Sequence, residues 1–277
     1  MSPAKPAGGS TEPVRFSYSR LQSYGNCPAQ YRYRYIDRLP EQGLSIEAYL
    51  GRRLHEVLEW LYDPDRSAAQ PSFDALLARF RESWAAAWQP DIMIARPAWH
   101  TDDYYQLGQR ALAGFYRRHE PFNAPVTHVE RSFALPLEGL PNVEISGIMD
   151  RTDRLAEGHW AIHDYKSGRR MISEAKAGSD LQMRIYFWAL QQLETGIEQV
   201  DIVWHFLQHG RSVTLPSVDW QIARIAAQLR RKVEPLLAVE ERAGALEPKE
   251  SPLCGWCHYW AACPAKRGQT HPARVAQ

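Results

Sequence analysis

Residues 145–168 read ISGIMDRTDRLAEGHWAIHDYKSG. The AEGH at 156–159 is a turn between two strand-like segments, 143–154 and 160–166. In the second segment a period of two places Trp160, Ile162, Asp164 and Lys166 on one face, and Ala161, His163 and Tyr165 on the other. An acid and a lysine thus share a face with two large apolar side chains, where charge is costly unless paired or bound to metal. Asp150 ends the first strand, and the hairpin brings it beside Asp164. Converging carboxylates repel unless a cation lies between them, and hard oxygen ligands suit Mg²⁺ or Mn²⁺. A neighbouring lysine stabilises developing charge or orients a water. An isolated Asp-x-Lys is equally an ordinary surface pair, so its meaning depends on its surroundings.

Outward from this hairpin, residues 128–137 alternate as a further strand, with Val129, Arg131, Phe133, Leu135 and Leu137 opposed to His128, Glu130, Ser132 and Ala134. Upstream, helices are predicted over 17–30 (with Ser17 or Ser19 as N-cap), 45–62, 72–88 and 101–119, with a Pro-containing break at 90–98. Downstream come a helix at 179–194, a strand pair at 200–207 and 211–215, and a helix to about 243 capped by Ser217. The order of elements describes one α/β unit.

The 277 residues, ten of them Trp, can bury a substantial core. A net charge of +1 excludes a globally basic nucleic-acid binder but not local patches. No run approaches the ~18 apolar residues of a membrane span. Residues 1–14, rich in Pro, Gly and Ala, read as a disordered tail without a signal-peptide core. A cytoplasmic location follows as an expectation, and there clustered cysteines bind metal more often than they pair.

Four cysteines fit that expectation: Cys27, and then Cys254, Cys257 and Cys263 in a C-x2-C-x5-C knuckle. Four thiolates are one ligand set for a tetrahedral zinc or an iron–sulfur cluster, and either would clasp the two ends of the chain. His55, on the 45–62 helix, taken alone is an ordinary packed or solvated histidine. Gln182 and Tyr186 lie four apart and share a helical face, taken alone a polar stripe.

Together these segments resemble a RecB-like nuclease of the PD-(D/E)XK superfamily, in its iron–sulfur branch with AddB-type domains and CRISPR-associated exonucleases. The resemblance rests on SRLQSYGNCPAQYRYRYIDRLP (19–40), GRRLHEVLEWL (51–61), ISGIMDRTDRL (145–155), WAIHDYKSG (160–168), LQMRIYFWAL (181–190) and CGWCHYWAACP (254–264), in the family's order. Met149 stands where the family's name has proline. The resemblance implies a restriction-endonuclease-like core. A mixed central sheet would be flanked by helices, with an N-terminal helical insertion and a cysteine-ligated cluster joining the ends. The nuclease domain would span 15–268, with a flexible C-terminus at 269–277.

By the same resemblance, His55, Asp150, Asp164 and the Tyr165 carbonyl would hold Mg²⁺ or Mn²⁺, and Lys166 would be the catalytic lysine. Gln182 and Tyr186 would support the site or contact DNA, and Glu130 would support the ligands. Cys27, Cys254, Cys257 and Cys263 would hold a [4Fe–4S] cluster, zinc being the alternative, shielded by Trp256, Tyr259 and Trp260. The implied activity is DNA cleavage, as an exonuclease in repair, recombination or CRISPR adaptation. The alternative is a non-enzymatic nucleic-acid-binding module that keeps the clasp.

Arg32, Arg34, Arg151, Arg154, Arg169 and Arg170 lie near the motifs as candidate DNA contacts. Tyr31, Tyr33 and Tyr35 either stack on bases of single-stranded DNA or fill the core beside Cys27. No G-x-x-x-x-G-K-[ST] loop is present, so unwinding would require a helicase or other DNA-processing partner.

Overall fold

A computed structural model describes residues 12–66, 70–242 and 246–276. The chain opens with β1 (Val14–Ser17), α1 (Tyr18–Asn26), α2 (Pro28–Tyr31) and a π-helical turn, Arg32–Ile36. There follow β2 (Leu44–Ser45), α3 (Ile46–Tyr62), α4 (Phe73–Ala86), β3 (Ile92–Ile94) and α5 (Thr101–His119). Then come β4 (Val126–Pro136), β5 (Val143–Ala156), β6 (His159–Lys166), α6 (Glu174–Ala177) and α7 (Leu181–Leu193). The last elements are β7 (Gln199–Phe206), β8 (Arg211–Pro216), α8 (Ile222–Arg242) and β9 (Arg274–Val275).

The main sheet is mixed. β6 pairs with β7 in parallel, while β5–β6, β4–β5 and β7–β8 are antiparallel. Gly158, at φ +70°, makes the turn of the β5–β6 hairpin, a backbone region that L side chains rarely enter. One edge of β5 has two successive partners. Its first residues, Val143–Ser146, pair in parallel with β1, and its second half, from Arg151 onward, pairs with β6. Asp150 sits in the fork between those partners.

The alternation expected in the 160–166 strand is realised as two cores. Trp160 and Ile162 pack with Met183 and Leu190 of α7 and Leu229 and Val233 of α8. Tyr165 packs on the other side with Leu54, Val57, Leu58 and Leu61 of α3 and Leu112 and Phe115 of α5. Helix α3 starts where Ser45 Oγ accepts from Ala48 N at 3.2 Å, and its apolar residues recur at helical spacing on the buried side. Ser17 caps α1 in the same way, accepting from Arg20 N.

Several expectations change. The tail prediction falls mostly on residues 1–11, outside the described residues, but Val14 already belongs to β1. The end expected to be flexible contains β9, paired antiparallel to β3 inside the 90–98 break, with β2 completing a small sheet. Ser217 is buried in a turn and receives the Trp220 amide, and α8 begins only at Ile222. Tyr31 is fully buried and its hydroxyl donates to Glu240, so it belongs to the core. Tyr33 packs against Tyr259, with ring centroids 5.7 Å apart.

Arg151, expected on DNA, is instead interior, 4 % exposed. Its guanidinium bonds both oxygens of Asp153 at 2.8 and 2.7 Å and lies 3.9 Å from the Tyr62 ring centroid. Asp153 also faces His163 Nε2 at 3.2 Å, His163 Nδ1 meets His205 Nε2 at 2.9 Å, and His205 Nδ1 meets Ser212 Oγ at 2.8 Å. A polar chain thus crosses the interior behind Tyr165. Removing one partner of such a buried pair strands the other charge, so Arg151→Ala is expected to cost about 3–5 kcal/mol in denaturant unfolding.

The buried histidines add a pH dependence. Burial lowers the proton affinity of both His163 and His205, and Arg151 lowers both further, against Asp153 acting on His163. Their unfolded forms take up protons near pH 6.5 while the folded forms resist. Their contribution to stability is therefore full above that pH and declines as pH falls through it, measurable as the Tm difference between wild type and His205→Gln from about pH 7 to 5. That difference should shrink as pH falls.

Candidate active site

The β5–β6 fork and the α3 helix deliver the ligand-type side chains to one place. His55 reaches across from α3, and its Nε2 lies 2.8 Å from the Tyr165 carbonyl. A carbonyl only accepts, so Nε2 carries the proton. Nδ1 then points at Asp150 Oδ1, 3.5 Å away, and Glu130 Oε1, 3.7 Å away. Burial disfavours charge on His55, but Asp150 and Glu130 outweigh it and raise its proton affinity well above the usual histidine range. The ligand atoms of His55, Glu130 and Asp150 all lie within 4.8 Å of one another. One nitrogen lone pair and two carboxylates converge there, and they need a proton or a cation to hold them together. This donor set fits a divalent ion.

The backbone is arranged around these groups. Asp150 Oδ2 accepts from the Tyr165 amide at 2.7 Å, taking a strand partner's place where the β5–β6 ladder ends. Glu130 lies in β4 between the register pairs Arg131–Met149 and Val129–Arg151, hence opposite Asp150. It holds φ +44°, a left-handed conformation that costs a non-glycine residue free energy and that clusters at functional sites.

Asp164 and Lys166 form the other half. Lys166 Nζ stands 3.0 and 2.8 Å from the two Asp164 oxygens, but only Oδ1 has hydrogen-bond geometry, and buried Oδ2 receives no aligned donor. Burial pushes the Asp164 carboxyl up to about 6; Lys166 pulls it down and Asp150 pushes it up. Burial opposes the charge on Lys166, yet Asp164, Asp180 and Asp150 raise its proton affinity, so it stays cationic. Lys166 also donates to Gln182 Oε1 at 2.7 Å, and Gln182 Nε2 donates to Tyr186 Oη at 2.9 Å. The residues 182 and 186 of one helical face thus brace the lysine.

Asp180, unremarked in the sequence, places that helix. It accepts the Gln182 and Met183 amides as N-cap of α7 and the Trp204 indole N–H at 3.1 Å. An acid just before an apolar helical run is the signal that could have found it. Glu130, expected only as support, stands among the ligand candidates. The Tyr165 carbonyl, expected on the metal, is engaged by His55.

Of the arginines, Arg169 and Arg170 are exposed in the loop after Lys166, and Arg154 is exposed beside Trp160. Arg32 and Arg34 are tied to Asp37 and Glu41 at 3.0 and 3.1 Å, on the turn that follows Cys27.

The four cysteines are unpaired and line a single apolar cavity of ≈ 40 Å³ together with Tyr33 and Trp260. Backbone amides of Lys249 and Ser251 point at Cys27 Sγ and Cys254 Sγ, each at 3.4 Å. Trp256 turns away to donate to Glu47, and Tyr259 is buried against Tyr33.

The profile of the PD-(D/E)XK nuclease superfamily matches residues 15–264. The chain belongs to that superfamily. The mixed sheet flanked by helices is its restriction-endonuclease-like core, and the Asp150, Asp164, Lys166 set occupies the fork of that sheet. Among solved structures, the nuclease is similar to a proposed exonuclease from Eubacterium rectale, with TM-score 0.54, 13 % identity, and 88 % of this chain and 87 % of that one covered. A structure named SSO0001 aligns at TM-score 0.33 and 17 % identity over 80 % of this chain and 96 % of that one. No curated protein matches the sequence.

Proposed function

We propose that the protein is a divalent-metal-dependent deoxyribonuclease, acting on DNA ends or single strands. The observation that carries this is the convergence of His55, Glu130 and Asp150 beside the Asp164–Lys166 pair. His55, Asp150, Glu130 and the undonated Oδ2 of Asp164 would hold Mg²⁺ or Mn²⁺. A bound divalent ion would activate water and neutralise charge on the phosphate. The rest falls to the chain. Lys166, kept cationic, donates to the phosphate rather than abstracting a proton. Gln182 and Tyr186 fix its ammonium, and His55 is held in one tautomer by the Tyr165 carbonyl. Arg169 and Arg170 reach phosphates of the flanking strand.

The four cysteines would hold a [4Fe–4S] cluster. All four line one apolar cavity, and backbone amides of Lys249 and Ser251 point at Cys27 Sγ and Cys254 Sγ, which supports a shared thiolate-held group, with zinc as the alternative. By resemblance, the biological setting is repair, recombination or CRISPR adaptation, with a separate helicase supplying any unwinding.

The test is degradation of end-labelled single- and double-stranded DNA by anaerobically purified protein, with and without Mg²⁺ or Mn²⁺, and iron and labile sulfide assayed on the same sample. Metal-dependent release of labelled fragments is the expected result. Absence of cleavage by cluster-loaded protein at every metal tested overturns the nuclease reading.

A further inference from the structure

Glu47, Gly51 and His55 are spaced four apart along α3, so they form one stripe of that helix. Each of the three makes a contact outside the helix. Glu47 Oε2 accepts the indole N–H of Trp256 at 3.2 Å, and Trp256 lies between Cys254 and Cys257 in the cysteine knuckle. At Gly51 the helix meets the residue that follows β6. A Cβ there would lie 2.9 Å from Ser167 Oγ, so helix and strand approach as closely as a glycine permits. His55 Nε2 lies 2.8 Å from the Tyr165 carbonyl, and its Nδ1 faces Asp150 and Glu130. The stripe thus runs from the knuckle, past the end of β6, to the metal-ligand set.

Glu47 is the meeting point at the near end. It stands in the first turn of α3, where a carboxylate also complements the helix N-terminus. Its second oxygen, Oε1, accepts the Tyr104 hydroxyl of α5 at 2.7 Å and faces Arg96 Nε at 3.5 Å. The Arg96 carbonyl in turn accepts from Arg274 of β9 at 3.3 Å. The chain after α8 therefore reaches Glu47 by two routes, directly through Trp256 and through Arg274 and Arg96. Trp256 is 37 % exposed, and its polar edge is aimed at a charged acceptor.

An α-helix is stiff along its axis, rising ~1.5 Å per residue, so a displacement at Glu47 is carried about 12 Å on to His55. Metal–ligand distances tolerate changes of only ~0.2 Å. Movement of α3 toward β6 is blocked at Gly51, and the bond from Trp256 holds the start of the helix.

We propose that Glu47 is a positioning residue for the metal centre: it ties α3 to the cysteine knuckle through Trp256 and thereby sets the place of His55. The inference rests on the metal-site reading above. It makes divalent-ion affinity depend on a contact made two helical turns from the nearest ligand.

The test is calorimetric titration of the anaerobically purified full chain with Mn²⁺, with iron content and a thermal melt recorded for each sample. Wild type is compared with Trp256→Phe, which keeps a ring and removes the N–H, and with Glu47→Gln, which leaves one acceptor oxygen in place of two. Lys266→Ala is the control, because it cuts the bond to Glu250 and leaves α3 untouched. Trp256→Phe and Glu47→Gln are expected to weaken Mn²⁺ binding roughly tenfold, the scale at which groups that orient a ligand act. Lys266→Ala should bind as wild type does. Glu47→Gln lies away from the cysteines and reads the same link if Trp256→Phe loses iron. Unchanged Mn²⁺ affinity in Glu47→Gln overturns the proposal, and so does an equal loss in Lys266→Ala, which would mean general loosening of the knuckle. If wild type binds no Mn²⁺, the metal-site reading falls first and this one with it.

Discussion

Lys166→Met is expected to lower the cleavage rate by about three orders of magnitude, the scale seen when a preorganised charge donor is removed from a transition state. DNA binding in Ca²⁺ should persist, because the arginines after β6 are untouched. The same substitution has a second signature. Lys166 is the cation beside Asp164, and Asp150 already disfavours ionisation of that carboxyl. Without the lysine, the two carboxylates face each other with only His55 to offset them. The Tm of Lys166→Met should therefore rise on adding Mg²⁺ or Mn²⁺ by more than that of wild type. A rate within tenfold of wild type, with Tm responses alike, would remove Lys166 from the chemistry.

The second large effect is expected at the cysteines. Cys257→Ser should abolish bound iron and sulfide and lower Tm by roughly 10 °C, corresponding to a loss of several kcal/mol in a domain of this size. Cys27 and Cys254 line one cavity although 226 residues lie between them in sequence. A cross-link there removes much of the freedom of the unfolded chain. Among the described residues, the knuckle is otherwise tied to the rest of the chain by local contacts such as Trp256 to Glu47, His258 to Gln42, and Tyr259 and Ala262 to Tyr33. The variant is checked by absorbance in the visible range, iron analysis and a thermal melt. An unchanged melt with iron retained would show that the cysteines hold no cluster.

The elements legible in the sequence were those long enough to repeat a period. Helices α3, α4, α5 and α7 and strands β4 to β8 carry their pattern within themselves. β1, β3 and β9 are two to four residues long, and each exists only because a distant partner supplies its ladder. Alternation also fixes faces without fixing depth. It set Arg151 apart from Asp150, but whether that face met solvent or α3 depended on helices more than thirty residues upstream. Asp164, Lys166, Gln182 and Tyr186 were legible because chemistry and spacing coincide. The nearness of Glu130 to His55 was not, since it depends on a left-handed residue inside a strand, which no pattern announces.

The fork at β5 bears on how the chain can be shortened. Val14–Ser17 lie just before the first helix, and a fragment starting at Tyr18 would retain every candidate catalytic side chain and all four cysteines. It would also leave Val143–Ser146 with an unsatisfied edge, expose the space filled by Phe16, and strip α1 of its cap. The lower limit for trimming is therefore set four residues before the first helix, by a strand that contributes no chemistry and frames the place where chemistry occurs.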